Sequence, residues 1–348
     1  MLTNKQVKEI REHLERAQNP LFFFDNDPDG LCSFLLLQRY LGKGRGVPIK
    51  SFPDLIVDYF RKVHELNADY IFILDKPVVS DEFFKEAEKT NIPVVWIDHH
   101  FIDKETVPSF VNYYNPLFNK SKTKEPVTAL CYQISNKKED LWIAVAGCIS
   151  DRFVPNFYKD FLKKYPEFVI KEKKAFGIFY KSQIGRVARI LGFGLKDRTT
   201  NVISMIKYLM KAKTPYDVLE ENSKNHAMHY RFNHIFSKYQ KLLQKAVLIG
   251  GEKGNLLFFK YGGELSISSD LSNELTYLFP DKIVVVVYLK GILANLSLRG
   301  KKVRELFLKS IEGLEDAMGG GHEMAVGGRM KTADLEKFRE SLEKFSTP

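Results

Sequence analysis

Residues 20–30 read PLFFFDNDPDG, an apolar run followed by three acidic residues on alternate positions and a glycine that we expect to turn the chain. Two further apolar runs also end in an acid: residues 70–74 precede Asp75, and residues 93–97 precede Asp98. Continuous apolar runs separated by helical patterns are typical of parallel strands covered on both faces. The sequence therefore predicts a doubly wound α/β domain whose acids lie at the carboxyl edge of its sheet, where such folds bind ligands.

The chain has 348 residues, enough for two domains with separate cores. We predict a catalytic α/β domain over residues 1–195, a helical connector over 196–245 and a smaller C-terminal α/β domain over 246–348. The patterns predict helices at residues 30–41, 225–245, 271–278 and 333–345, and C-terminal strands at 247–250, 256–259, 283–289 and 292–298.

The composition favours a soluble, cytoplasmic protein with no membrane partner. Cys32, Cys131 and Cys148 form no CxxC pair, which fits a reducing interior better than a disulfide framework or a zinc site. The charged residues 1–18 lack the apolar core of a signal peptide. The longest strongly apolar run, residues 283–289, is too short to span a bilayer.

The positive charge is concentrated in the middle of the chain. Net charge is +10, and residues 151–250 carry 20 Lys or Arg against 8 Asp or Glu. A basic segment of this kind suits a polyanionic partner such as nucleic acid. The alternative is that its lysine-rich helices are ordinary solvated faces.

The acidic residues predict a metal site, although each element alone has a plainer interpretation. Neighbouring carboxylates repel one another unless a cation balances them. Oxygen ligands suit Mg²⁺ or Mn²⁺, and added imidazole favours Mn²⁺. The triplet alone could form a solvated or calcium-type turn, a single Asp could cap a helix, and the histidine pair could lie in a surface turn. Two ions with a shared carboxylate need about six protein ligands, which is the number available if all of these elements meet.

The order of these motifs resembles the DHH phosphoesterase superfamily. The matching elements are DxDxDG at residues 25–30, Asp75 after a strand, Asp-His-His at 98–100 and GxxxD at 147–151. Ser-Leu-Arg at 297–299 and Gly-Gly-Gly-His at 319–322 resemble the C-terminal domain associated with the RecJ-like and oligoribonuclease branches. The chain is most similar to the shorter archaeal RecJ-like exonucleases for single strands, including the type that associates with the repair helicase Hef.

The resemblance implies a role for each matched residue. Asp75 would bridge two Mn²⁺ ions (Mg²⁺ is the alternative), His100 would contact the scissile phosphate, and Asp98 would orient the histidine pair. The implied metal ligands are Asp25, Asp27, Asp29, Asp75, His99 and Asp151. The implied substrate-binding residues are Ser297, Arg299, Gly319, Gly320, Gly321 and His322. The departures from the family pattern, Asn26, Pro28 and Cys148, affect no implied ligand, so we expect an active enzyme.

The resemblance implies a metal-dependent exonuclease that hydrolyses single-stranded DNA or RNA to 5′-mononucleotides in repair or replication. A repair helicase or a replication complex is the expected protein partner, and a homo-oligomer is left open. The alternatives are a nanoRNase or phosphoadenosine-phosphate phosphatase acting on very short substrates, or a catalytically silent scaffold in a repair complex. A pyrophosphatase is disfavoured because Phe23 stands where its first motif has histidine.

Two aromatic and histidine groups are weaker candidates. Phe153, Phe157 and Tyr158 follow Asp151 in a basic context and are candidates for stacking on bases. The three histidines of the predicted long helix are interpreted as packing or surface residues, because no carboxylate or cysteine accompanies them; they are His226, His229 and His234.

Overall fold

The computed structural model describes residues 1–50, 54–251 and 254–346, apart from the side chains of His322 and Ser346. The chain divides into two compact units, Met1–Phe232 and Asn233–Pro348. The division falls inside the predicted connector. The bounds of the three predicted segments stay a prediction.

The first unit contains seven strands and eleven helices of the described chain. Its strands are β1 (Pro20–Asp25), β2 (Arg45–Ile49), β3 (Asp54–Leu55), β4 (Tyr70–Leu74), β5 (Val78–Val79), β6 (Val94–Ile97) and β7 (Asn112–Tyr114). Its helices are α1 (Asn4–Arg16), α2 (Pro28–Leu41), α3 (Arg61–Glu65), α4 (Asp81–Lys89), α5 (Val127–Ser135), α6 (Leu141–Ser150), α7 (Tyr158–Lys164), α8 (Ala175–Lys181), α9 (Gln183–Gly194), α10 (Thr199–Leu209) and α11 (Tyr216–Leu219). The next helix, α12 (His226–Gly250), begins in the first unit and ends in the second.

The main sheet of the first unit is parallel, which confirms the predicted fold class. Its strand order is β2-β1-β4-β6-β7. In the register of the three central strands, Phe24 pairs with Leu74, and Leu74 pairs with Ile97. The residues that follow these pairs therefore leave the sheet at the same edge, which places Asp25, Asp75 and Asp98 side by side.

The phenylalanines of β1 show why this strand is buried on both faces. Phe22 and Phe24 lie against Phe34 of α2, with ring centroids 5.5 and 5.2 Å apart. Phe23 points to the opposite face and meets Phe83 of α4 at 5.5 Å. Successive side chains of a strand alternate between faces, so this apolar run requires cover on both sides. Because Phe23 is fully buried, Phe23→Ala is expected to cost about 3–5 kcal/mol of stability.

The second unit is a mixed α/β layer. Its elements after α12 are β8 (Leu256–Gly262), α13 (Ser268–Leu278), β9 (Ile283–Lys290), β10 (Leu293–Arg299), α14 (Val303–Ser310), β11 (Met318–His322), β12 (Ala325–Lys331) and α15 (Leu335–Ser346). The strand order is β11-β12-β10-β9-β8, with β8 and β9 parallel and the other pairs antiparallel. Phe307 of α14 and Phe338 of α15 contribute to its apolar core.

One predicted strand is wrong. Residues 247–250 form the last turn of α12 rather than a strand. Leu243, Ala246 and Gly250 are buried at helical spacing, whereas Leu248 is 78% exposed. An apolar run of four residues fits one turn of a buried helix face as well as it fits a strand, and the pattern alone does not separate the two. Among the described helices, none is both long and apolar enough to cross a membrane.

Candidate active site

The first acidic motif forms the junction between β1 and α2. Asp27 caps α2, and its carboxylate accepts a hydrogen bond from the Gly30 amide at 2.9 Å. Gly30 lies within α2 and does not turn the chain, contrary to our expectation. A side chain at this position would collide with the backbone of Asp25. The glycine therefore allows the helix to start against the end of the strand and keeps the acids of the motif close together.

Asp29 has a structural role as well as a position in the site. It is buried, and its two carboxylate oxygens accept hydrogen bonds from the amides of Val127 and Thr128 at 3.0 and 2.8 Å. These amides begin α5, where a helix has unpaired donors and a partial positive charge. The hydroxyl of Thr128 also donates to the Asp29 carbonyl at 2.9 Å. Asp29 thus fixes α5 against α2.

Asp75 has the features of a residue held in place for function. Its φ of +58° lies in the left-handed region, which is uncommon for a side chain other than glycine. It is 2% exposed, and its Oδ1 atom is buried without a hydrogen-bond partner. His99 Nε2 lies 3.3 Å from that oxygen. A buried carboxylate oxygen that lacks a donor is costly, and a bound cation would satisfy it.

The structure brings five of the predicted residues together around His99. Asp75, His99 and His100 form one group, and Asp29, His99 and Asp151 form another, each with one ligand atom per residue and all such atoms within 4.8 Å of one another. Asp151 follows α6 as its C-cap residue, and its Oδ2 lies 3.9 Å from His99 Nδ1. His99 is common to both groups.

Asp25 and Asp27 belong to neither of these groups in the described chain. Asp25 Oδ1 instead accepts a hydrogen bond from Lys76 Nζ at 2.8 Å. Asp27 remains close enough to Asp25, Asp29 and Asp151 for their charges to act on its carboxyl. The two residues stay predicted ligands.

The electrostatics of the site are those of a cluster in which carboxylates outnumber the nearby cations. Burial, together with the neighbouring carboxylates, raises the pKa of Asp27 to about 8 and holds the pKa of Asp75 well above its ordinary value. Withdrawal from water likewise raises the pKa of Asp151 to about 6, although the nearby His99 opposes this change. Carboxylate and imidazole donors in this density fit Mn²⁺ or Mg²⁺.

Asp98 positions His100. The fully buried Asp98 carboxylate accepts hydrogen bonds from Nδ1 of His100 at 2.9 Å and from its amide at 3.1 Å. Asn115 donates to the His100 carbonyl at 2.8 Å. Burial alone lowers the pKa of His100, but the hydrogen bond and charge of Asp98 outweigh it and raise this pKa above the usual value. The ring is therefore fixed through Nδ1, with Nε2 at its opposite side.

Three residues beside the site were not singled out from the sequence. Lys76 is fully buried, and Phe101, which follows the histidine pair, is 82% exposed. Arg152 follows Asp151 with φ +60°, and its guanidinium carbon lies 4.6 Å from the centre of the Phe176 ring. Their positions directly after Asp75, His100 and Asp151 were the available sequence signal.

The aromatic candidates for base stacking are less suitable than Phe101. Tyr158 is buried, and Phe157 packs on Tyr132 with ring centroids 4.7 Å apart. Phe153 is only partly exposed. On the long helix, His229 is buried and His226 is paired with Glu221, which agrees with packing and surface roles.

The predicted phosphate-binding polar side chains of the second unit have partners within that unit. Ser297 is buried, and its hydroxyl donates to Ser268 at 3.0 Å. Arg299 Nε donates to Asn273 Oδ1 at 2.7 Å, and another guanidinium nitrogen donates to the Leu298 carbonyl at 2.8 Å. These bonds hold the Arg299 guanidinium in one orientation at the end of β10.

The glycine run lies in strand β11, paired with β12, rather than in a loop. A side chain at Gly319 would meet the Gly327 carbonyl at 2.5 Å and the Phe307 ring at 2.7 Å, and Gly321 has a φ of +148°. Gly320 differs, because a side chain there would meet nothing within 4 Å. Packing thus requires glycine at two of the three positions but not at 320. The His322 side chain, the last residue of the predicted motif, lies outside the described part of the structure.

The main sheet of the first unit is parallel, and the acids and the histidine pair at its carboxyl edge form groups that could hold metal ions. Residues 21–149 match the model of the DHH family, N-terminal domain, and the fold of the chain is similar to that of RecJ. The sequence matches no curated protein.

The solved structures similar to this chain include RecJ in two metal-bound forms. RecJ in complex with Mn²⁺ from Thermus thermophilus is 15% identical, with a TM-score of 0.69 over 98% of this chain and 54% of that one. The same protein with Mg²⁺ gives 16% identity and a TM-score of 0.63, covering 98% of this chain and 51% of that one. Another structure, exonuclease RecJ bound to manganese, is 15% identical, with a TM-score of 0.69 over 100% of this chain and 96% of that one. The chain thus spans about half of the Thermus protein and nearly all of the second.

Proposed function

We propose that this protein is a metal-dependent exonuclease that removes nucleotides from an end of single-stranded DNA or RNA and releases 5′-mononucleotides in repair or replication. The observation that supports it most is the meeting of Asp29, Asp75, His99 and Asp151 at one sheet edge, around a buried Asp75 oxygen that lacks a donor. The likeness of the whole chain to RecJ structures solved with Mn²⁺ and Mg²⁺ also supports it. A helicase or replication-complex partner and a homo-oligomer stay predictions.

The residues that would hold two divalent ions, Mn²⁺ in our proposal, are the acids and the first histidine of this edge. They are Asp27, Asp29, Asp75, His99 and Asp151, with Asp25 as a sixth candidate whose Oδ1 is bound by Lys76. When bound, such ions lower the pKa of water and neutralise charge on phosphoryl oxygens. Burial is the main cause of the raised pKa of Asp27 and Asp75, and the neighbouring carboxylates that add to it are the reason that this edge favours cations.

His100 and Asp98 would act on the phosphate. Because Nδ1 of His100 is held by Asp98, the imidazole can present Nε2 to a phosphoryl oxygen without reorienting. The raised pKa of His100 keeps the ring protonated over a wider pH range, so that it donates to an oxygen as negative charge develops there. Asp98 is a positioning residue in this scheme, because its carboxylate is fully buried.

Single-strand binding would use aromatic and basic side chains. Phe101 is exposed directly beside the phosphate-contacting histidine, which suits stacking of a base next to the cut. Arg152, supported by the Phe176 ring, would contact a neighbouring phosphate through its guanidinium. The basic segment 151–250 adds general attraction for the strand. In the second unit, Arg299, Gly320 and His322 would bind a phosphate or nucleotide of the substrate.

A hydrolysis assay with end-labelled strands tests this function. The full chain would be incubated with Mn²⁺ and a 20-nucleotide DNA or RNA strand labelled at either end, and with a dinucleotide, using Asp75→Asn as the background control. We expect mononucleotides to appear in order from one end of the 20-mer. Cleavage of the dinucleotide alone would favour the short-substrate alternative. No hydrolysis of any substrate would favour the silent scaffold.

A further inference from the structure

Lys76 lies at the carboxyl edge of the main sheet, which carries Asp25, Asp75 and Asp98 and is called the acidic edge below. It adds a positive charge to this edge. Its side chain is fully buried, and Nζ lies 2.8 Å from Asp25 Oδ1. Lysine is almost never fully buried unless it is paired, because its charge must leave water. The Lys76 carbonyl also accepts a hydrogen bond from Trp96 Nε1 at 3.0 Å, which anchors the backbone after β4. The lysine is therefore held in the site by the fold.

The position of Lys76 favours a role within the cluster over contact with a substrate. With no exposed surface, Nζ cannot meet a strand in solution. Its partner Asp25, in contrast, is one of the charges that act on both Asp27 and Asp75. An ammonium group on Asp25 offsets that negative field at short range, where a Coulomb interaction is strongest.

The position of Asp25 also separates it from the other acids. Neither group of ligand atoms around His99 in the described chain includes Asp25 or Asp27, but Asp25 has the Lys76 ammonium at 2.8 Å. The side chain of Asp25 is 25% exposed, so its carboxylate is partly open to solvent, whereas the side chain of Asp75 is 3% exposed. Asp25 already has a cation at hydrogen-bond distance, whereas Asp75 Oδ1 has no hydrogen-bond partner.

We propose that Lys76 is a permanent internal cation of the metal site. It takes Asp25 as its counter-charge, removes this residue from the set of metal ligands, and sets how tightly the remaining acids bind divalent ions. The ligands are then Asp27, Asp29, Asp75, His99 and Asp151. This inference rests on the proposed function, because it assumes that the edge binds divalent ions. Lys76 is a positioning residue in this account and does not touch the substrate.

A charge-neutral double variant separates this role from direct ligation by Asp25. Binding of Mn²⁺ would be measured by titration calorimetry for the wild type, Lys76→Met, Asp25→Asn and the two combined, with folding checked by circular dichroism. We expect Lys76→Met to bind Mn²⁺ at least about tenfold more tightly, because one opposing charge is lost. Asp25→Asn should bind about tenfold more weakly, since the lysine then lacks its counter-charge. The double variant should return to within about threefold of the wild type, a difference of less than about 0.7 kcal/mol.

The control is Lys8→Met, which removes a lysine whose side chain is 81% exposed in α1. Its affinity for Mn²⁺ should equal that of the wild type, because solvent screens its charge. In EDTA, Lys76→Met should melt at a lower temperature than the wild type, and Mn²⁺ should abolish the difference. If Lys76→Met does not fold in EDTA, the double variant still provides the comparison.

A double variant that binds Mn²⁺ as weakly as Asp25→Asn would identify Asp25 as a ligand and overturn the inference. Unchanged affinity in Lys76→Met would overturn it as well. The proposed function fails in a different way. If the four proteins bind Mn²⁺ in the expected order but the wild type hydrolyses no strand, the role of Lys76 stands and the nuclease proposal falls. A wild type that binds no Mn²⁺ overturns both.

Discussion

The acidic edge of the first unit and the glycine strand of the second unit (β11) both carry sequence motifs. The polar side chains of the two regions differ in whether they have hydrogen-bond partners. In the second unit, Ser297 and Arg299 have hydrogen-bond partners. At the acidic edge, Asp75 keeps a buried oxygen without a donor, in a left-handed backbone conformation. A protein tolerates such a cost where function requires it. The first region is therefore the stronger indication of function, whereas Ser297 and Arg299 of the second are held in place by their own hydrogen bonds.

Replacement of Asp75 should have the largest effect. Asp75→Asn should lower strand hydrolysis by about 1000-fold, equal to roughly 4 kcal/mol of the barrier. The same variant should melt at a higher temperature in EDTA, because it removes a buried charge that neighbouring acids repel, and Asn adopts the left-handed conformation readily. Steady-state kinetics and calorimetric melting measure the two effects.

Glu88→Gln, an exposed acid in α4, is the matched control and should change neither quantity. An Asp75→Asn protein that retains wild-type turnover, or that is less stable in EDTA, would mean that the acidic edge is not a metal site and would remove the contrast between the two regions.

The histidine and its buried partner should rank next. His100→Ala should lower kcat by about 100-fold, because the donor to the phosphate is lost. Asp98→Asn should lower it by about tenfold, because the ring remains but its orientation is less fixed. Both variants should bind Mn²⁺ with nearly wild-type affinity in a titration. A large loss of Mn²⁺ affinity in His100→Ala would instead assign His100 to the metal ligands.

Stability in EDTA should depend on pH at the acidic edge. The pKa of Asp27 is about 8 and that of Asp151 about 6 in the folded chain, both above their ordinary values. Folding therefore favours their protonated forms, and the stability this provides is present below about pH 4 and is lost as pH rises through about 6 to 8. Melting temperature in EDTA should fall by several degrees between pH 5 and 8.5.

Saturating Mg²⁺ should remove most of this fall, because a bound cation favours the ionised acids. Asp27→Asn in EDTA should also show a shallower decline than the wild type. Identical pH profiles with and without Mg²⁺ would contradict a cation-binding edge.

Phe101 should affect the binding of long strands. Phe101→Ala should raise KM for a 20-mer by about tenfold, which is the loss expected for one base–aromatic stack of 1–3 kcal/mol. Val169→Ala, another exposed apolar residue of the first unit, is the control and should leave KM unchanged. Equal KM values for the two variants would show that Phe101 does not contact the strand.

Gly320 provides the smallest and most specific test of the second unit. Gly320→Ala should fold with an unchanged melting temperature, because its added methyl group meets nothing. It should raise KM by a few-fold if a nucleotide approaches this strand closely. Gly319→Ala should instead lower the melting temperature through collision with the Gly327 carbonyl. Unchanged KM in Gly320→Ala would leave the glycine strand as a framework only.

The sequence predicted the parallel sheet of the first unit, because the apolar pattern of its strands also determines which residues lie at the carboxyl edge. Apolar runs that end in Asp25, Asp75 and Asp98 predict parallel strands, and equal register brings those acids to one edge. The strand predicted at residues 247–250 is wrong because a short apolar run does not distinguish a strand from one buried helical turn.

Features that depend on long-range contacts were not predictable in this way. The bonds of Asp29 to the start of α5 join residues 98 and 99 positions apart. The position of Lys76 after Asp75 did not indicate that its side chain is buried, because a lysine after a strand usually lies in solvent. The ordinary packing role of Gly319 appears only when Phe307 and β12 are placed beside it. Periodicity describes which face is apolar, but it does not give the partner on that face.

The most direct test of the central claim is a crystal structure with Mn²⁺, in which anomalous scattering locates the ions. We expect anomalous peaks within coordination distance of Asp75, His99 and Asp151. Crystals of hydrolytically active protein in Mn²⁺ that show no peak beside these three residues would contradict the proposed metal site.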